Sequence, residues 1–359
     1  MSLFDPLELG SLTVPNRVFM APLTRCRAGE GRVPTDLMAD YYRQRSSAGL
    51  IFSEATSVSP MGVGYPNTPG IWSAEQTEGW KKVTEAVHGA GGRIQLQLWH
   101  VGRISDPIYL DGKLPVAPSA VAAAGHVSLV RPEKAFVTPH PLSVGEIRQV
   151  VEDFRKGAEN AKAAGFDGVL VHSANGYLID QFLQDSTNRR DDLYGGSIEN
   201  RARLLMEIVD AVTSVWDPGR VGVHLAPRGD AHDMGDSDPE ALFTYVAREL
   251  AKRSVGYISA REHHQEPALG PAIKAAFGGP FVANESFDKA GAEKVIDAGD
   301  ADAVAFGKDY IANPDLPERF RQDAPLNEPD PSTFYFSGEG DIRHGYTDYP
   351  FLEPETSGA

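Results

Sequence analysis

The chain has 359 residues, 41% of them apolar and 23% charged, and its 34 basic against 50 acidic residues leave a formal charge of −16. So acidic a surface argues against nucleic acid and anionic membrane as partners, and no apolar run approaches the roughly 20 residues of a membrane span. The single cysteine, Cys26, rules out an intrachain disulfide and fits a reducing compartment, while Met1-Ser2-Leu3-Phe4-Asp5-Pro6 lacks the basic and then apolar segments of a secretory signal, so a cytoplasmic protein is expected.

Leu7 to Val14 reads as a small hairpin closing one end of the molecule. Val18-Phe19-Met20-Ala21-Pro22 is the first core strand, followed by a helical pattern from Asp36 to Ser47. A second strand over Leu50–Ala55, a helix over Ala74–Ala90 and a third strand over Arg93–Trp99 come next. The segment from Ile104 to Leu142, rich in proline and glycine, is too large for a simple loop and predicts an excursion, with a hairpin as its natural form. Beyond it, strands are expected at Gly168–Val171, Val221–Leu225, Gly256–Ser259, Pro280–Ala283 and Ala303–Phe306, with helices at Val144–Ala164, Ile198–Trp216, Glu240–Lys252 and Asp288–Ala298. Alternating strand and helix periodicity predicts a parallel sheet, and eight strands predict a (β/α)8 TIM barrel. One domain over residues 1–359 is expected, with the excursion (about 104–142) over the barrel mouth and a C-terminal extension over about 330–359.

Functional side chains of such a barrel follow the C-terminal ends of its strands. Thr24 follows the first, Gln97 and Trp99-His100 close the third, and Gly307-Lys308 follow the eighth. After the fourth comes His172-Ser173-Ala174-Asn175-Gly176-Tyr177, with hydrogen-bond donors at offsets 0, 3 and 5. His172 and Asn175 are able to point at one oxygen, and Tyr177 stands apart as a phenol. An unperturbed phenol of pKa about 10 stays protonated at neutral pH and is able to protonate a carbon centre. Two donors on a carbonyl that becomes an enolate, with a third group protonating the adjacent carbon, is the equipment of conjugate reduction. The plainer reading is a strand-end histidine satisfied by backbone groups beside a core tyrosine. Asn284-Glu285-Ser286 and Phe306-Gly307-Lys308 flank the last two strands, where barrels of this kind hold phosphate.

Rival chemistries have thinner support. A metal-dependent barrel hydrolase would draw on Glu262, His263, His264 and Glu266, but neighbours on a strand point oppositely and no ligand spacing accompanies them. A glycosidase needs two carboxylates at strand ends, for which Glu54 and Glu262 are the candidates. Cys26 reads as packing. Arg25, Arg27 and Arg103 suit either ion pairs or a nicotinamide phosphate.

Beyond these sites the chain carries Ala21-Pro22-Leu23-Thr24-Arg25, Gly64-Tyr65-Pro66, Gln97-Leu98-Trp99-His100-Val101-Gly102-Arg103, the run from Asp185 to Arg201, Asn313-Pro314-Asp315-Leu316-Pro317 and Gly345-Tyr346-Thr347-Asp348-Tyr349-Pro350. With the His172–Tyr177 set, these motifs make the chain resemble, from Leu3 to about Pro350, the old yellow enzyme family of FMN-dependent ene-reductases, which includes N-ethylmaleimide and 2-cyclohexenone reductases. The resemblance implies FMN across the barrel mouth, its ring against Pro22, Leu23 and Thr24, with Ala55 and Gln97 on its pyrimidine side. It implies NADH or NADPH as reductant, then hydride transfer from flavin N5 to the β carbon of an α,β-unsaturated carbonyl, nitroalkene or maleimide. His172 and Asn175 would hold the acceptor oxygen, Tyr177 would protonate the α carbon, and Tyr65, Trp99 and Tyr335 would wall the substrate. Members are monomers or homodimers.

Three positions depart from the family pattern. His224 replaces an arginine that faces the flavin, Lys308 replaces an arginine at the phosphate, and Glu285-Ser286 replace small residues, glycine above all, whose N–H groups meet the phosphate. A neutral His224 implies a less stabilised reduced flavin. Glu285 would repel phosphate if it turned inward, and strand alternation allows it to turn away. A flavin-binding or flavin-depleted barrel with little turnover is the alternative these departures support. Tyr335 to His344 is also longer and more polar than the family's glycine-rich link.

Overall fold

A computed structural model describes residues 1–229, 231–262 and 268–353. Its centre is a closed parallel barrel of eight strands: β1 (Val18–Met20), β2 (Ile51–Phe52), β3 (Ile94–Trp99), β4 (Val169–Ser173), β5 (Val221–Leu225), β6 (Tyr257–Arg261), β7 (Phe281–Asn284) and β8 (Ala303–Phe306). Neighbours pair in chain order, and β8 closes on β1 through Val304↔Val18 and Phe306↔Met20. The connecting helices are α1 (Asp36–Gln44), α2 (Ala74–Gly89), α3 (Val144–Ala163), α4 (Ile198–Thr213), α5 (Pro239–Lys252), α6 (Gly270–Phe277) and α7 (Lys289–Asp297). Two short helices, Lys308–Ala312 and Leu316–Arg321, follow β8. Ser73 with Gln76 and Ser143 with Glu146 form capping boxes that fix where α2 and α3 begin.

Period-2 alternation decides which side chains reach the mouth. On β4, Val169 and Val171 join the outer core against the helices, whereas Leu170 belongs to the inner core. His172 therefore points inward one layer above Leu170. By the same count His224 on β5, Ser259 and Arg261 on β6, and Gln97 and Trp99 on β3 face inward. The hairpin Leu7–Leu9/Leu12–Val14 plugs the opposite end, contributing Leu9, Leu12 and Val14 to the inner core. Gly10 takes φ +63 there, and a Cβ on it would fall 2.1 Å from the Gly219 carbonyl oxygen, so the plug requires glycine.

Several boundaries differ from those the sequence predicts. β4 runs on through His172 and Ser173, because both pair with β5 in register (His172↔His224, Ser173↔Leu225) and the Ser173 hydroxyl donates to the His224 carbonyl at 2.7 Å. The excursion is not a hairpin. Its two strands, Val116–Ala117 and His140–Pro141, run parallel, as a long crossover permits, and an isolated antiparallel bridge joins His126 to Ala135 between them. Val127, Ala123 and Phe136 of the excursion pack with Ala55, Tyr65 and Trp99, so it covers one side of the mouth. Arg25, Arg27 and Arg103 are buried and donate to backbone carbonyls. Arg25 and Arg27 tie the first βα loop to Gly345 and His344, and Arg103 reaches Val121 and His232. They hold the chain together rather than offering a phosphate site. Among the described residues, no helix is long and apolar enough to cross a membrane.

Candidate active site

The turn after β4 is held in place from several sides. Asn175 (φ +58) and Gly176 (φ +74) are consecutive left-handed residues that swing the chain sharply into the short helix Leu178–Leu183. Buried Asp180 accepts from the Gly176 N–H at 2.8 Å and from Gln184 at 2.7 Å, and Gln181 donates to the Gly176 carbonyl at 2.7 Å. Burial pushes the Asp180 carboxyl up to about 7, and buried Glu54 likewise to about 7. Carboxyls raised in the folded state contribute stability that is full below an ordinary carboxylate pKa, near 4, and is lost as pH rises through about 7. Each contributes a slope of about 1.4 kcal/mol per pH unit across that window. Asp180→Asn, which keeps an acceptor for Gly176, is expected to flatten part of the decline in melting temperature between about pH 4 and 7. An unchanged slope would assign the decline elsewhere.

Tyr177 leaves this turn half-buried, its ring 5.0 Å from Trp99 and 5.1 Å from His172, both edge-on. It does not stand apart: its hydroxyl is 2.8 Å from that of Tyr65. Burial of the hydroxyl end holds the phenol well above 10, so it stays protonated. His172 is buried, and burial, then His224 and the positive charge of Arg261, hold its pKa well below the usual imidazole range. It is neutral. His224 is pushed down to about 3 by burial and Arg261. Its Nδ1 lies 3.1 Å from the Gln97 amide nitrogen, which leaves the hydrogen on Nε2.

Two adjoining cavities open at the mouth, of about 330 and 420 Å³. The inner one is lined by Thr24, Ala55, Tyr65, Gln97, Trp99, His172 and Tyr177, and the outer one by Asn284, Glu285, Ser286, Gly307 and Lys308. Pro22, Leu23, Asn175, His224, Arg261 and Tyr335 border both, so the cavities are compartments of one cleft. Every residue that the family resemblance assigns to the site borders it, whereas His100 lines a separate cavity beside Met61 and Val116. His172 Nδ1, His224 Nε2 and Trp99 Nε1 are buried without a partner among the described residues. Leaving a buried polar group unpaired costs about 1–3 kcal/mol, so three beside one cleft mark a place built to receive hydrogen-bonding atoms from a ligand.

Sequence reading missed two residues. Arg261 donates to Asn175 Oδ1 at 3.1 Å and pairs with Glu285. It continues the inward alternation Tyr257, Ser259, Arg261, a signal lost by ending the sixth strand at Ser259. His232 packs 5.3 Å from Tyr177 and bonds the Asn175 carbonyl at 2.8 Å. Glu285 does not turn away. It lines the outer compartment, and it and Ser286 take φ of +108 and +57, values that favour glycine.

The carboxylate pair of a glycosidase does not assemble. Glu54 is buried beneath the mouth, accepting from the Arg25 N–H and the Tyr42 hydroxyl. Glu262 accepts from the N–H groups of Leu269 and Gly270 at the start of α6. They are therefore not a facing pair. His263, His264 and Glu266 lie outside the described residues, among which no cluster suited to a metal occurs. Cys26 is buried, its thiol pushed up to about 12 by burial and Glu54.

Residues 2–327 match the NADH:flavin oxidoreductase / NADH oxidase family. A probable flavin mononucleotide-dependent alkene reductase of Leishmania infantum is 44% identical over 359 residues, covering 98% of this chain and 97% of that protein. Among solved structures, morphinone reductase in complex with tetrahydroNAD superposes with a TM-score of 0.95 at 50% identity, over 100% of both chains. The old yellow enzyme homologue of Zymomonas mobilis gives 0.94 at 44% identity, over 98% of this chain and 100% of that one.

Proposed function

The chain belongs to the NADH:flavin oxidoreductase / NADH oxidase family, its old yellow enzyme relatives matching it from end to end, and from that membership we infer an FMN-dependent alkene reductase driven by NADH or NADPH. The observation that carries the reading is the convergence of neutral His172, Asn175 and protonated Tyr177 on one cleft.

The residues present suit FMN. Buried nitrogens on His172 and His224, without partners among the described residues, would suit the polar edge of a flavin, Pro22 and Leu23 offer an apolar face, and Lys308 brings positive charge to the compartment beside β7 and β8. Thr24, Ala55 and Gln97 would hold the ring. Asn284, Glu285, Ser286 and Gly307 would border the phosphate, with Lys308 acting on it as a point charge. FMN, when bound, supplies the two-electron exchange between nicotinamide and alkene.

The protein's own contribution is orientation and proton supply. His172 and Asn175 donate to the oxygen of the activated alkene, where negative charge develops. Tyr177 gives its hydroxyl proton to the carbon next to that oxygen-bearing carbon. Tyr65, Trp99 and Tyr335 would wall the substrate. The partner is then a small activated alkene, an enone, nitroalkene or maleimide, with no role for nucleic acid or a membrane. We read residues 1–359 as one domain of a cytoplasmic monomer or homodimer.

The test is direct. The purified protein should be yellow, bleach with NADH or NADPH without oxygen, and recover its colour with 2-cyclohexenone. A yellow protein without turnover would favour the binding-only alternative, and a colourless one would end the flavin reading.

A further inference from the structure

Arg261 ends β6 with its side chain in the mouth, bordering both compartments. It meets two other elements: Nε pairs with the Glu285 carboxylate after β7, and Nη1 donates to Asn175 Oδ1 after β4 at 3.1 Å.

Two consequences follow from those contacts. A carboxamide whose oxygen accepts from a guanidinium cannot flip without pressing its NH2 against a cation, so Asn175 keeps its NH2 as the remaining donor. The second concerns charge. His172, His224 and His232 are all held neutral, chiefly by burial. Among the described residues lining the cleft, Arg261 and Lys308 are then the permanent cations, and only Arg261 borders the inner compartment. The weaker charge that His224 implies on β5 is thus met by a guanidinium from the adjacent strand. Glu285 holds that guanidinium from a left-handed conformation that favours glycine.

We propose that Arg261 is the positioning cation of this site: it fixes the Asn175 carboxamide with its NH2 toward the acceptor oxygen, its charge favours the anionic reduced cofactor, and Glu285 moderates that charge. The proposal rests on the FMN reading.

Two equilibrium measurements on the purified yellow protein test it without turnover: the flavin midpoint potential, and the dissociation constant of cyclohexanone, a carbonyl ligand that is not an alkene, followed by its perturbation of the flavin spectrum. In Arg261→Met the potential should fall and cyclohexanone should bind about tenfold more weakly, the worth of one charge-assisted hydrogen bond. Arg261→Lys keeps the charge without the planar fork. It should hold the potential near wild type while still weakening cyclohexanone, and it carries the test if the methionine variant loses FMN or fails to fold. Glu285→Gln should raise the potential. An unchanged potential or an unchanged cyclohexanone affinity in Arg261→Met overturns the proposal, as does a lowered potential in Arg261→Lys. A colourless wild-type protein would instead refute the FMN reading beneath it.

Discussion

Tyr177→Phe is expected to slow reoxidation by 2-cyclohexenone by roughly 10²–10⁴-fold, the usual worth of a positioned general acid. Bleaching by NAD(P)H should change little, since nicotinamide oxidation needs no proton from this phenol. Phenylalanine keeps the edge contacts with Trp99 and His172, so the cleft should stay formed and only the hydroxyl is lost. Burial keeps that hydroxyl protonated, so wild-type reoxidation should show no loss of the acid as pH rises through 9. The Tyr65 hydroxyl, 2.8 Å away, would lose its phenolic partner in the variant. Tyr65→Phe is the matching control: it leaves the acid in place and should cost far less. Stopped-flow traces of the two phases separate these effects. Equal reoxidation rates for Tyr177→Phe and wild type would show that the α-carbon proton comes from elsewhere.

The barrel is legible in the sequence because parallel strands covered on both faces become apolar runs, as Val169–Val171 and Ala303–Phe306 are. Legibility ends where the mouth begins. His172, Ser173 and Arg261 belong to strands, yet their polarity reads as loop; His172 and Arg261 take inward positions at the C-terminal rim, which border the cleft rather than the core. The Arg261–Glu285 pair therefore lay hidden, although Glu285 was in view. α6 was missed for another reason. It is short, opens on Gly270-Pro271 and relies on Glu262, well upstream, to meet its first N–H groups. The parallel sense of the excursion's strands has no local signature, because it depends on how a long connection returns. The Tyr65–Tyr177 contact spans 112 positions and has none either. Residue chemistry gathered the candidate residues on one rim, but which group holds which is a property of packing.

His172→Ala should lower acceptor reduction by roughly 10²–10³-fold, the effect of removing one donor to a developing oxyanion. The imidazole suits that task because it is neutral: a neutral ring keeps one N–H to give and adds no proton that the enolate could capture. With its pKa held well below the usual range, the donor should not titrate between pH 6 and 8, and kcat/KM for the enone should be flat across that interval. Asn175→Ala removes the second donor and should cost a similar factor. On the proposed roles, both groups would grip one oxygen, so the double variant should cost less than the product of the two. His172→Asn, which restores an N–H in less space, should recover part of the loss. If His172→Ala reduces the enone at the wild-type rate, the oxygen is held by another donor, and His224, whose Nε2 also faces inward without a partner among the described residues, is the group to replace next.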